Sequence, residues 1–263
     1  MELIFVFNTI LLNSIKNNKL KMITSILKRA ILFCSFITAG FMAKAQFTFG
    51  PEISGGITAA TLTAPPAVVN STNSKTRSNA NLNGSIGFVA AYQFDDFWAV
   101  NSGIFFQYIQ PTFNQGTSPN TIVTDKLDYI NIPLEIVHIN DQLKKGWYYG
   151  VGINFGLGIS GQEELATSGL PSISKNVKFD GEIYPQDPNN THYDLLNLGA
   201  IGKVGYFFGK MYIGGEANLG LSNIDPDYGY KYKINNYSLH VGYTFNRKVV
   251  KPAALPADDT TTP

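Results

Sequence analysis

Residues 85–94 alternate. Ile86, Phe88, Ala90, Tyr92 and Phe94 form one set, and Ser85, Gly87, Val89, Ala91 and Gln93 the other. A period of two is the signature of a β-strand, whose successive side chains point to opposite faces. The same split recurs along residues 98–108, 130–136, 147–159, 196–206, 211–221 and 237–245. With a first strand over about 47–62, the pattern predicts eight strands. After Gln46 there is no apolar run near the roughly 18 residues of a membrane helix, so any crossing of a bilayer would be made by strands.

The second face of these strands separates a soluble sandwich from a membrane barrel. A sandwich has a bulky core side and a charged solvent side. Here the second face is small and neutral: Gly150, Gly152, Asn154, Gly156, Gly158 and Ser160 on one strand, and Gly214, Asn218 and Gly220 on another. Apolar outside and small polar inside is the inverted pattern that lipid imposes on a closed barrel. Linker lengths point the same way. Those at 95–96, 140–146 and 208–210 are short, and those at 63–83, 111–124, 161–191 and 222–231 are long and rich in Ser, Thr, Asn, Pro and Asp. Short periplasmic turns alternating with long outside loops are the habit of outer-membrane barrels. Aromatics gather at the short turns: Tyr92, Phe94, Phe97 and Trp98; Trp147, Tyr148 and Tyr149; Tyr206, Phe207, Phe208 and Tyr212; Tyr243 and Phe245. They predict an interfacial girdle at one rim.

The first 45 residues have a different grammar. Lys28 and Arg29 precede an apolar run over 30–42, and Ala43-Lys44-Ala45 supplies a small-x-small cleavage site. This is a secretory signal peptide cut after Ala45, with translation starting at Met1 or Met22. The rival, an uncleaved anchor, needs about 20 apolar residues, more than the run has. The only cysteine, Cys34, lies in this leader, and Ile31-Leu32-Phe33 before it lacks the small residue of a lipoprotein signal. The mature chain therefore has no disulfide, thiolate nucleophile or cysteine-ligated metal. Over the whole sequence 20 Lys+Arg balance 19 Asp+Glu, which argues against nucleic acid as a partner.

The fold class expected is all-β: an eight-stranded antiparallel transmembrane up-and-down β-barrel over residues 46–246. An N-terminal signal helix lies within 1–45, and a Pro-, Ala- and Thr-rich, disordered periplasmic tail occupies 247–263. Residues 127–136, containing Tyr129-Ile130-Asn131-Ile132-Pro133-Leu134, resemble the Tyr-x-x-Ile-Pro-Leu strand of the PorT-like, or porin-family, outer-membrane proteins of Bacteroidetes. Tyr149-Gly150-Val151-Gly152 and the ending at 239–245 are similar too. The resemblance covers nearly all of 46–246 and implies an eight-stranded barrel. Its named member is associated with assembly of a secretion system, but no functional residue maps onto this chain.

Parity places Glu52, Glu135, Lys203, Glu216 and His240 inside the barrel, with Lys203 and Glu216 opposite each other about the turn at 208–210. A lumenal ion pair that fills the interior is expected, since eight strands leave room for little beyond side chains. Ser238 beside His240 has the composition of a hydrolase pair, but both point inward and no carboxylate orients the histidine. His192 near Asp194, and His138 near Asp141, read as surface residues. Asp225-Pro226-Asp227 with Asp187 and Asp194 offers oxygen ligands for calcium, though the spacing matches no calcium loop and solvated turn acids are the default. Glycines at 150, 152, 156, 158 and 161 do not make the dinucleotide fingerprint. No catalytic residue, metal or cofactor is expected.

The function expected is a structural or binding role through extracellular loops of an integral cell-envelope barrel. The alternatives are an accessory subunit of an envelope secretion or export complex, a narrow gated pore, and a lipid-modifying enzyme. The partners expected are outer-membrane lipid and lipopolysaccharide, the outer-membrane insertion machinery and an envelope protein complex.

Overall fold

The computed structural model describes residues 46–64, 74–94, 97–114, 121–140, 145–182, 187, 189–227 and 230–245. The leader, the turn at Asp95-Asp96, Asp141 and the tail lie outside these residues. Every regular element described is a strand, and no described helix is long and apolar enough to cross a membrane. In chain order the strands are β1 (Gln46–Ala64), β2 (Ser74–Arg77), β3 (Asn81–Gln93), β4 (Trp98–Ile109), β5 (Thr112–Asn114) and β6 (Thr121–Asn140). They continue with β7 (Lys145–Thr167), β8 (Ile173–Phe179), β9 (Asn190–Tyr193), β10 (Leu196–Phe208), β11 (Met211–Gly220) and β12 (Lys231–Tyr243).

Eight of these close a ring. The hydrogen-bonded order β6-β4-β3-β1-β12-β11-β10-β7 returns to β6 through the β6–β7 pairing. All of these neighbours are antiparallel. Closure satisfies each strand's backbone on both sides, which is what lipid demands of a sheet. The remaining four strands decorate one end: β2 on β1, β5 on β6, β8 on β7, and β9 in parallel beside β8.

Spanning a bilayer takes a tilted strand of about 9–11 residues. β11 has 10, whereas β1 has 19, β6 has 20 and β7 has 23, so the last three rise well past the bilayer at the end opposite the short turns. Segments read from sequence as parts of the long loops at 111–124 and 161–191 are thus largely strand. A register shift between Asp128 and Tyr129 of β6, opposite Gly158 and Ser160 of β7, marks a β-bulge at the foot of this extension. At the other end β10 and β11 turn through Gly209 and Lys210, with Gly209 at φ 86°, where a side chain would be strained.

The outer face of the wall is apolar. Ile53, Phe88, Ile104, Leu134, Val151, Val204, Ile213 and Leu239 stand exposed around the ring, as residues facing lipid do. The girdle is sparser than the sequence pattern suggests. Phe94, Trp98, Trp147, Tyr149, Phe208 and Phe245 are exposed, but Tyr148 and Tyr212 are buried and Phe207 packs with them. Tyr148 and Phe207 lie one position from an outward aromatic and Tyr212 lies between outward Met211 and Ile213, and one step along a strand changes faces.

Candidate functional site

The inward positions of the spanning strands bring together one ammonium and three carboxylates. Lys203 on β10 stands opposite Glu216 on β11. Its Nζ lies 3.0 Å from Glu216 Oε2, 3.0 Å from Glu135 Oε1 on β6, and 3.9 Å from Glu52 Oε1 on β1. These four side chains are therefore gathered around one point, and Glu52 and Glu135 join the pair that parity suggests. Glu135 is 1% exposed. Tyr212 donates a hydrogen bond of 2.7 Å to Glu52 Oε2, and His240 Nε2 is hydrogen-bonded to the Tyr148 hydroxyl. All five residues singled out in the sequence thus belong to one lumenal assembly.

The lumen around it is filled. On the short-turn side Tyr148, Phe207 and Tyr212 pack with ring centroids 4.9 to 6.0 Å apart, above Val89, Val137 and Ile139. On the other side a polar ladder crosses the barrel: Asn154 donates to Asn131 at 2.9 Å, Asn131 to Gln107 at 2.7 Å, and Thr58 to Asn236 at 2.6 Å. Two small cavities touching Lys203 from inside measure about 50 Å³ and about 30 Å³, room for a water or two, whereas a third of about 1000 Å³ that also reaches Lys203 and Glu216 is lined mainly by side chains exposed on the wall, among them Ile57, Ile136, Val151 and Leu239. Such an interior binds its own charges.

Beyond the polar ladder the strand extensions enclose a second core. Leu127, Tyr129, Ile109, Phe113, Val177, Tyr193, Ile224, Tyr232 and Ile234 are buried together. Among them Asp125, 1% exposed, accepts hydrogen bonds from the Tyr232 hydroxyl at 2.6 Å and the Tyr193 hydroxyl at 3.1 Å. Burial pushes its carboxyl up to about 7, against the lowering by the tyrosine hydrogen bonds. Asp225 in the β11–β12 loop is likewise raised by burial, to about 6. A cavity of about 280 Å³ opens beside them, lined by Asp125, Glu163, Asp225, Asp227 and Lys175 together with Tyr193, Tyr230 and Tyr232. Sequence reading missed this cap because part of it, including Phe113, Glu163, Val177 and Ile224, falls in segments taken as loops, and the rest, such as Asp125, Leu127 and Tyr232, lies at strand ends beyond the predicted strands. The alternation of Asp125, Leu127 and Tyr129 on β6 was the available signal.

Other candidates are placed differently from their sequence reading. His138 is an aromatic-belt residue, stacked on Phe97 and Tyr149 and edge-on to Trp98. His192 is not a surface residue: its side chain is 5% exposed and its Nδ1 lies 2.7 Å from Asp180. Asp187 pairs with Lys178 at 2.8 Å, so the oxygen ligands considered for calcium do not assemble as one group. Asp225 is a turn residue, its Oδ1 accepting from the Asp227 backbone N–H at 2.9 Å.

Three solved structures are similar to the chain at low identity. Ail, the attachment invasion locus protein of Yersinia pestis, solved with the heparin analogue sucrose octasulfate, is similar at 14% identity over 74% of this chain and 99% of that one, with a TM-score of 0.32. The outer membrane protein OprG from Pseudomonas aeruginosa is similar at 13% identity over 77% and 97%, TM-score 0.42. Neisserial surface protein A is similar at 12% identity over 77% and 99%, TM-score 0.32. No curated protein sequence matches the chain. The family described as outer membrane protein beta-barrel domain matches residues 44–226, from the approach to β1 into the β11–β12 loop. The closed antiparallel ring, its lipid-facing apolar wall and this match over well over half of the sequence agree, and the chain belongs to the outer membrane protein β-barrel domain family.

Proposed function

We propose that this outer-membrane barrel is a closed scaffold that carries a binding surface on its extracellular end. The observation that supports this best is the contrast between a lumen packed with tyrosines, a Lys–Glu cluster and amide side chains and an outer end with an acidic, tyrosine-lined cavity of about 280 Å³. A general pore needs a wider ring, and a small pore needs a continuous wet path. The ligand reaches the protein from outside, at the acidic, tyrosine-lined cavity of the cap.

In this reading the chain is a PorT-like protein of a Bacteroidetes envelope, held in lipid and lipopolysaccharide and delivered by a leader cut after Ala45. Phe245, bridged to Phe49 beside the end of β12, supplies the aromatic that the insertion machinery reads. No catalytic step is assigned to it. The scaffold reading predicts no conductance when the protein is reconstituted in planar bilayers, and stable unitary currents would overturn it. A photo-crosslinker at Tyr230, beside the cavity, is expected to capture an external partner on intact cells. Capture only from a probe at Trp147, on the periplasmic rim, would favour an accessory subunit of an export complex instead.

A further inference from the structure

A second donor group lies in the outer extension, apart from the lumenal assembly. Asp180, Glu182 and His192 each bring one ligand atom to within 4.8 Å of the others. Gly181, between the two acids, has a φ of 69°, a turn that allows both carboxylates to approach the same imidazole. The parallel β8–β9 pairing sets Lys178 opposite His192 and so returns the chain to the ring. His192 Nδ1 is 2.7 Å from Asp180 Oδ1 and 3.9 Å from Glu182 Oε2. These separations bracket the roughly 3.4 Å kept by tetrahedral ligands about 2.1 Å from one ion.

The other ring nitrogen supplies an independent indication. His192 Nε2 is buried without a hydrogen-bond partner, and Asp187 Oδ2 stands 3.7 Å away. That same oxygen is fixed by Lys178 Nζ at 2.8 Å and by Asn190 Nδ2 at 2.6 Å. In the metal-free protein the bond to Asp180 keeps the proton on Nδ1 and leaves Nε2 an orphaned acceptor among acids. With Nδ1 on a metal the proton moves to Nε2, where the Asp187 carboxylate is the nearest acceptor. A carboxylate behind a ligating histidine is the usual outer support of such sites. The three acids and Lys178 sum to two formal negative charges, the complement of a divalent ion.

We propose that Asp180, Glu182 and His192 form an extracellular divalent-metal site of zinc type, with Asp187 positioning the imidazole. One nitrogen and two carboxylates suit zinc and leave a coordination position for water or an external group. Calcium, which takes about 6–8 oxygen ligands, is not matched. The site stands independently of the scaffold reading above.

The test is a calorimetric titration of the untagged chain, extracted from outer membranes in detergent, with zinc chloride and separately with calcium chloride. One saturable zinc per chain is expected, undisturbed by equimolar calcium, with His192→Gln and Asp180→Asn each weakening it at least tenfold and His138→Gln leaving it unchanged. Should His192→Gln fail to fold, as read by heat-modifiable electrophoresis, Asp180→Asn with Glu182→Gln decides. Unchanged zinc affinity in that double variant overturns the site. Non-saturable uptake, or loss in His138→Gln, does the same and marks an adventitious ion only.

Discussion

Within the bilayer, β6 and β12 turn Asn131, Glu135, Asn236 and His240 inward and Ile132, Ile136, Leu239 and Val241 outward. Beyond it the same strands, on the same parity, turn Leu127, Tyr129, Tyr232 and Ile234 inward and Lys126, Asp128, Lys231 and Lys233 outward. The backbone fixes which positions share a face, and the surrounding medium decides which chemistry each face carries. Where lipid surrounds the ring, burial of charge inside is the only placement left for polar groups. Where water surrounds it, the hydrophobic effect reasserts the ordinary order.

The two storeys should respond differently to substitution. The largest effect is expected in the lower one. Lys203→Met leaves the buried Glu52 and Glu135 and the half-buried Glu216 without their cation, which costs about 3–5 kcal/mol, whereas adding Glu135→Gln and Glu216→Gln restores much of the loss. Urea unfolding in lipid vesicles measures both, and a mild effect of the single substitution would show that the carboxylates do not depend on Lys203.

Next comes packing of the lumen against packing of the wall. A Cβ on Gly214 would strike the Tyr148 hydroxyl, the Val204 carbonyl and His240, while one on outward-facing Gly202 meets nothing within 4 Å. Gly214→Ala is therefore expected to cost about 1–3 kcal/mol by overpacking and Gly202→Ala close to nothing. Equal effects in the same unfolding assay would erase the distinction between filled interior and open wall.

The smallest effect belongs to the cap and is read in pH. The Asp125 carboxyl titrates at about 7 in the closed cap, against about 4 when the cap is open. Its contribution is complete below pH about 4, where both forms are neutral. It is lost as pH rises towards about 7, because the open form ionises first. Hydrogen exchange in residues 121–128 should therefore lose protection progressively across that window. Asp125→Asn should flatten the profile, and a profile unchanged by that substitution would remove Asp125 as its cause.

Much of the wall was legible because a barrel repeats a period-two code in every strand. That code carries Glu52, Glu135, Lys203, Glu216 and His240 to one face each, and hairpin pairing sets Lys203 against Glu216. Distances across the ring have no such code. Nothing local to β1 announces that Glu52 receives the Tyr212 hydroxyl, 160 positions away. The cap was illegible for a different reason. Polar residues such as Gln162, Glu164 and Lys178 resemble loop sequence, yet in water a strand is expected to show them outside. The inward tyrosines were obscured by adjacency, since Tyr148 sits between two true belt residues, Trp147 and Tyr149.

The ring is shut by its first and last strands, β1 against β12, with Glu52 opposite Gly242. Closure therefore joins segments about as far apart in the barrel sequence as any two can be, a pairing that forms late because its long connection must first be ordered. Glu52 completes the company of Lys203 only in the closed state. In an open ring Lys203 would keep Glu135 and Glu216, and the group left without partners would be the Glu52 carboxylate, to which closure brings the Tyr212 hydroxyl at 2.7 Å and the Lys203 ammonium at 3.9 Å.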